Sequence, residues 1–250
     1  MGWVIAMAGK GGTGKTTVAA LLVRIIKENN LGSILAVDAD PNSNLGELLG
    51  LEAKESIGCI LDDIASNPQI VPVNMGKDAF IEYRVQRSII EADGFDLLTM
   101  GRPEGPGCYC YVNNSLRNVM DRLINDYDFV VIDNEAGLEH LSRRTTRRVD
   151  TLLVISDASI IGLKAAKRIV ELTKELKIKT KKELLVVNRS NPNIEPDKIK
   201  GLNLDYLGRL PIDSEVESLS KLGASLVNLN KDSAMLSTLR KLGEKIWLCN

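Results

Sequence analysis

Cysteine is scarce. Four in 250 residues are too few for a secreted scaffold built on disulfides. Charge of either sign is not in excess: 32 Lys+Arg stand against 33 Asp+Glu, for a formal net charge of −1. Binding to nucleic acid through its phosphates needs a clear basic surplus, so nucleic acid is not an expected partner. No run approaches the roughly 18 apolar residues needed to cross a bilayer. The apolar opening from Trp3 to Ala8 stops at Gly9-Lys10-Gly11-Gly12, too short for a signal-peptide core and without a basic lead. Ala6 stands where a myristoylation motif requires Ser or Thr. These absences predict a cytoplasmic protein without a membrane-spanning segment. His140 is the single histidine, which excludes a His-rich metal store; beside a switch segment it suits a structural hydrogen bond.

What is present is ordinary globular composition, 44% hydrophobic and 26% charged. A chain of this length buries about three quarters of its unfolded surface and needs no staple. Strand candidates fall at 3–8, 34–38, 95–99, 129–133, 152–156, 184–188 and 206–210, and helical spacing at 16–29, 114–125, 160–177 and 213–222. Runs such as Phe129-Val130-Val131-Ile132 are apolar throughout, as in a parallel sheet covered on both faces. The alternation predicts a doubly wound α/β fold with a mostly parallel sheet, one domain over 1–250. Residues 52–110 are the least regular and read as an insertion ending in a Gly/Pro loop. There is no internal repeat and no low-complexity linker.

Gly9-Lys10-Gly11-Gly12-Thr13-Gly14-Lys15-Thr16-Thr17 fits G-x-x-x-x-G-K-[ST] and lies between a predicted strand and a predicted helix. The glycines let backbone N–H groups converge on phosphate, Lys15 would reach the β- and γ-phosphates, and the Thr16 hydroxyl would ligate Mg²⁺. Val130-Val131-Ile132-Asp133 ends an apolar strand in a carboxylate, suited to holding Mg²⁺ through water. Asn188-Arg189-Ser190-Asn191 lacks the acid of N-K-x-D that reads guanine, so ATP is the expected nucleotide. Lys10, which is not needed to cradle phosphate in cis, makes the loop similar to those of the deviant P-loop ATPases, the MinD, ParA, ArsA and nitrogenase iron-protein group. That resemblance implies a homodimer in which Lys10 reaches the partner's nucleotide, the logic of an arginine finger. It further implies that Asp40 of Asp38-Ala39-Asp40 activates water with Asp38 on the Mg²⁺ side, that Asn134-Glu135-Ala136-Gly137 is a second switch, and that Asn188 and Pro211 of Leu210-Pro211-Ile212-Asp213 contact adenine.

Cys108-Tyr109-Cys110 supplies two thiolates where a tetrahedral or planar thiolate site needs four. A two-fold dimer would supply the rest at its interface, for Zn²⁺ if tetrahedral or Ni²⁺ if planar. The pair also suits small buried hydrophobes, a redox couple or, with ligands from elsewhere, an iron–sulfur cluster. Cys59 and Cys249 have no partner pattern and read as structural. Gly107-Cys108-Tyr109-Cys110 with Asn114-Ser115, then Gly137-Leu138-Glu139-His140-Leu141, resembles the CooC and AcsF family of nickel-insertion ATPases over nearly the whole chain. The resemblance implies nickel or zinc bound by Cys108 and Cys110 of both protomers, and carbon monoxide dehydrogenase or acetyl-CoA synthase as client. Arg143–Arg148 is more basic than that pattern and reads as a solvated helix face; 177–182, rich in lysine, reads as a helix C-terminus. The stretch 232–248 has one apolar face, which suits a closing helix packed on the sheet more than the C-terminal membrane helix of a MinD-like switch. An ATP-driven switch on membrane or DNA is the alternative the same group offers.

Overall fold

Strands that are apolar on both sides must be covered on both sides, and the computed structural model shows that arrangement. It describes residues 2–42, 44–52, 55–101, 110–136, 148–190, 199 and 201–247, with the backbone alone for 110–115. The elements in chain order are β1 (Trp3–Gly9), α1 (Lys15–Glu28), β2 (Ile34–Ala39), α2 (Asn44–Leu48), α3 (Ile57–Ser66), α4 (Lys77–Ser88), β3 (Ile90–Ala92), β4 (Phe95–Thr99) and α5 (Cys110–Asn125). There follow β5 (Phe129–Asn134), β6 (Arg148–Ser156), α6 (Ile160–Glu175), β7 (Lys179–Val187), β8 (Asp205–Arg209), α7 (Ser214–Lys221) and α8 (Ala234–Trp247). Eight strands form one sheet in the order β3-β4-β2-β5-β1-β6-β7-β8. Every pairing is parallel except that of β3 with β4.

Side chains alternate across a strand, and the alternation divides the interior into two cores. Val4, Ala6, Leu35, Val37, Val130 and Ile132 face α3 to α6. Ile5, Met7, Ile34, Ala36 and Val131 face α1, α2, α7 and α8. On α1, Val18, Leu21, Leu22, Ile25 and Ile26 recur at helical spacing and are all essentially inaccessible; each contributes about 1.5–3 kcal/mol by leaving water. On α8 the apolar face of Met235, Leu236, Leu239 and Ile246 is likewise buried, so it serves as core. No helix among the described residues is long and apolar enough to cross a membrane.

The chain moves from β1 to β2 on one side, and from β5 past β1 to β6 on the other. That reversal opens a crevice at the C-terminal ends of the central strands, where α/β sheets bind ligands. The opposite end is closed by a charged cluster. Asp150, fully buried, accepts a hydrogen bond from the Val4 backbone N–H (2.9 Å) and pairs with Lys181 (2.8 Å) and Arg148 (3.3 Å). Lys181 also lies 4.9 Å above the Trp3 ring.

That cluster corrects two expectations. Arg148 is the first residue of β6, not part of a helix face; 143–147 lie outside the described residues. The lysines at 179, 181 and 182 open β7, since α6 ends at Glu175. The buried Asp150 carboxylate needs cations beside it, and pairing of β7 with β6 from Arg148 onward brings Lys181 there. Within 52–110, the stretch expected to be irregular, α3, α4 and the antiparallel edge strand β3 are ordered elements.

Candidate nucleotide site

Glycine forms the phosphate loop because its backbone turns where L side chains do not. Gly12 has φ 78° and Gly14 φ 92°, in the left-handed region that a Cβ disfavours. Gly14 is also held close: a Cβ there would lie 2.4 Å from Asn188 Nδ2. The loop is braced on the Lys10 carbonyl, which accepts from Thr13 Oγ1 (2.9 Å) and Lys15 Nζ (3.5 Å). Lys15 is buried while Lys10 and Gly11 are exposed at the sheet's end. The helices α3, α6 and α7 begin with side-chain caps from Ser56, Ser159 and Asp213, whereas α1 has none and carries no acid in its first turn. Its first N–H groups are therefore left to an anion, and the helix dipole adds positive potential there.

The two carboxylates reach this loop through sheet register. Asp38 and Asp133 are paired residues on adjacent parallel strands, and Met7 of β1 pairs with Asp133. By alternation both acids face the α1 side, with Ile34, Ala36 and Val131. Both are fully buried. Asp38 Oδ2 accepts from Leu45 N (2.9 Å) and Oδ1 from Asp40 N (3.3 Å); burial nonetheless pushes its pKa to about 6. Burial pushes Asp133 further, to about 7; Thr16 and Lys15 lower it, and the negative charges of Asp38 and Asp40 raise it. Neither Asp133 oxygen has a hydrogen bond of normal geometry. A buried carboxylate with both oxygens orphaned, beside the Thr16 hydroxyl, is the donor set a hard cation takes. These residues fit Mg²⁺, which keeps waters and phosphate oxygens as most of its ligands. Among the described residues no three His, Cys, Asp or Glu side chains form a metal cage by themselves. Asp40 is half-buried and accepts from both Asn42 N and Asn42 Nδ2 at 2.9 Å.

Asn188, at the end of β7, is buried and does more than expected for a base contact. Its Nδ2 donates to Thr13 O (2.8 Å) and its Oδ1 accepts from Arg189 N (2.9 Å). It therefore ties the phosphate loop to the sheet and keeps one amide hydrogen for a ligand. Arg189, in the left-handed region at φ 52°, donates from its guanidinium to Gly12 O (3.4 Å). Thr17, Asn188, Arg189, Pro211, Asp213, Val216, Glu217, Ser220 and Met235 line a narrow cleft of about 20 Å³ beside the loop. The role of Arg189 there was not legible in sequence. The cap role of Asp213 was missed too, although Asp before Ser-Glu-Val at a helix start is a signal for it.

Other expected residues divide. Asn134 is buried and donates from Nδ2 to Met7 O (2.8 Å), and Glu135 and Ala136 are exposed. Cys59, read as structural, is exposed in the first turn of α3, where Ser56 Oγ donates to its Sγ (3.3 Å). Cys108, Gly137–Leu141 and Cys249 lie outside the described residues, and of Cys110 only the backbone, at the start of α5, is described.

A phosphate loop with its donors free, a buried acid pair and a cleft beside them define a P-loop nucleotide-binding protein on a MinD-like sheet. The comparisons agree. A family described as AAA domain (AAA_31) matches residues 2–186, and the chain belongs to that family of MinD/ParA-like P-loop ATPases. It is 43% identical over 248 residues, covering 97% of this chain and 98% of the other, to an uncharacterized ATP-binding protein of Methanocaldococcus jannaschii. It is 27% identical, over 96% of this chain and 97% of the other, to the carbon monoxide dehydrogenase accessory protein CooC of Rhodospirillum rubrum. Among solved structures it is similar in fold to septum site-determining protein MinD of Pyrococcus horikoshii complexed with Mg-ADP. There the TM-score is 0.72 and identity 21%, over 98% of this chain and 96% of the other.

Proposed function

We propose that this chain is an ATP-hydrolysing, dimeric metallochaperone that delivers nickel to the metal cluster of carbon monoxide dehydrogenase or acetyl-CoA synthase. What carries the reading is the pair Cys108 and Cys110 in a chain similar to CooC from end to end. The connection leaving β4 supports it. Met100 N donates to Asp38 O (2.8 Å) and Gly58 N to Met100 O (2.8 Å), so the chain that leads to the cysteines starts from a hydrogen bond to the acid strand. A change at Asp38 on nucleotide binding is thereby joined to the stem of the C-x-C segment.

In this reading Gly9 to Thr17 bind the phosphates, and Asn188 and Pro211 the base. Mg²⁺, held through Thr16, Asp38 and Asp133, supplies charge neutralisation at the β- and γ-phosphates. Asp40 orients the attacking water, Lys15 holds the γ-phosphate, and Lys10 crosses to the partner's nucleotide. The exposure of Lys10, whose carbonyl braces the loop, supports that role. Closure of two protomers brings two C-x-C pairs to four thiolates, the number a nickel or zinc cargo needs.

The test is anaerobic titration of nickel and zinc with and without ATP, following thiolate charge-transfer absorbance and dimer mass. One metal per dimer is expected, and its loss in Cys108→Ser with ATP binding intact. A Cys108→Ser protein that still binds one metal per dimer at wild-type affinity would refute the assignment. The other reading, an ATP-driven switch on membrane or DNA, fits the same family; against it stands only that the apolar face of α8 is core.

A further inference from the structure

We infer that Asp213 is the positioning residue of the base cleft, a single carboxylate that fixes α7 to α8 and so sets the distance between the cleft's walls. The inference rests on the reading that this cleft takes the base of ATP. One wall is α7, through Val216, Glu217 and Ser220, and Met235 at the start of α8 lies beside it. The two helices differ in how they are held. Of the eight residues of α7 only Val216 is buried, whereas α8 buries Met235, Leu236, Leu239, Gly243 and Ile246. Val216, with Leu219 only partly buried against the same core, is a small apolar contact for a two-turn helix. Its place must come from elsewhere.

Asp213 supplies it. Oδ1 accepts from Glu215 N (3.1 Å) and Val216 N (3.3 Å), capping α7. Oδ2 accepts from Ser233 Oγ (2.7 Å) and Met235 N (3.1 Å) at the start of α8. Ser233 in turn accepts from Leu236 N (3.2 Å), as the cap of α8. Four donors converge on one carboxylate, and two helix dipoles point their positive ends at its charge. The firmly packed α8 thus holds the loosely packed α7 through this one side chain. Glu215, which accepts from Asn230 N (3.0 Å), adds a single exposed tether. An asparagine at 213 has one acceptor oxygen; its NH₂ would face the donors of one helix or the other, and one half of the double cap would open.

The experiment measures binding of ATP and of inorganic tripolyphosphate, both with Mg²⁺, by calorimetry. It compares wild type, Asp213→Asn, Ser233→Ala and Ser220→Trp, with thermal melts as a check of folding. The tripolyphosphate uses the P-loop but not the cleft. Asp213→Asn is expected to weaken ATP about tenfold and Ser233→Ala about threefold, with tripolyphosphate affinity unchanged. Should Asp213→Asn fail to fold, Ser233→Ala carries the test. Equal weakening of both ligands, or of neither, would overturn the positioning role. Ser220→Trp fills the cleft: if it leaves ATP affinity unchanged, the base does not lie there and the underlying reading falls. If Ser220→Trp weakens ATP while Asp213→Asn and Ser233→Ala do not, only the role of Asp213 is lost.

Discussion

Replacing Asp133 by asparagine is expected to flatten the pH dependence of stability of the nucleotide-free protein between pH 5 and pH 8. Asp133 is fully buried with both oxygens unpaired, and its pKa stands at about 7, against roughly 3.9 in an unfolded chain. The native state therefore retains a proton that the unfolded state releases, and stability falls as pH rises. The contribution is fully present below about pH 4 and is lost as pH rises through about 7. Linkage gives a penalty of about 1.5 kcal/mol at pH 5 and about 4 kcal/mol at pH 8, so this one group removes about 3 kcal/mol across the interval. Asparagine leaves amide hydrogens to be placed, at about 1–3 kcal/mol, but that cost does not vary with pH. The slope, not the absolute stability, is thus the readout. Asp38, whose own pKa stands at about 6, contributes a smaller slope that both proteins share. Urea titrations at pH 5 and pH 8, without nucleotide and with saturating Mg-ATP, make the comparison. Wild type should lose about 3 kcal/mol more stability than Asp133→Asn on going to pH 8, and saturating Mg-ATP should remove that excess. Parallel pH profiles for the two proteins would refute the reasoning that Asp133 is an uncompensated buried acid.

Asn188→Asp would set a carboxylate oxygen against the Thr13 carbonyl in place of an N–H donor, at a buried position. A cost of about 3 kcal/mol is expected, lowering Tm by about 8 °C, and a melt within about 2 °C of wild type would show that the tie does not matter. Lys10→Ala removes a side chain while leaving the carbonyl that braces Thr13 and Lys15. ATP affinity should stay within about threefold while phosphate release falls at least about a hundredfold. Hydrolysis at the wild-type rate in Lys10→Ala would remove the trans role.

Much of this site was legible because its chemistry is local. A glycine-rich loop between a strand and a helix is written in consecutive residues, 9 to 17, and the helix start that receives phosphate follows at once. The central strands were legible because burial on both faces removes polar residues from them. The ends of strands were less so. Lys179 to Lys182 have the composition of a solvated helix end, and only pairing of β7 with β6 makes Lys181 a counterion for Asp150. In the 52–110 stretch α4 carries a sparse apolar face that periodicity does not separate from loop, whereas α3 has Ile57, Ile60, Leu61 and Ile64 at helical spacing, a signal that the reading of the stretch as irregular passes over.

The sequence by itself therefore determined the fold class, the phosphate loop and the identity of the acids, since motif and period are properties of neighbouring residues. The tertiary structure decided what those residues do to one another. Asp38 and Asp133 are 95 positions apart, and parallel register makes them paired neighbours, so that the charge of Asp38 raises the pKa of Asp133. Asn188 spends one amide hydrogen on Thr13, 175 positions away. Asp213 joins two helix starts separated by the whole of α7. Period gives the face on which a side chain lies, but strand order and register choose its neighbour. Charge, burial and hydrogen bonding act between neighbours in space.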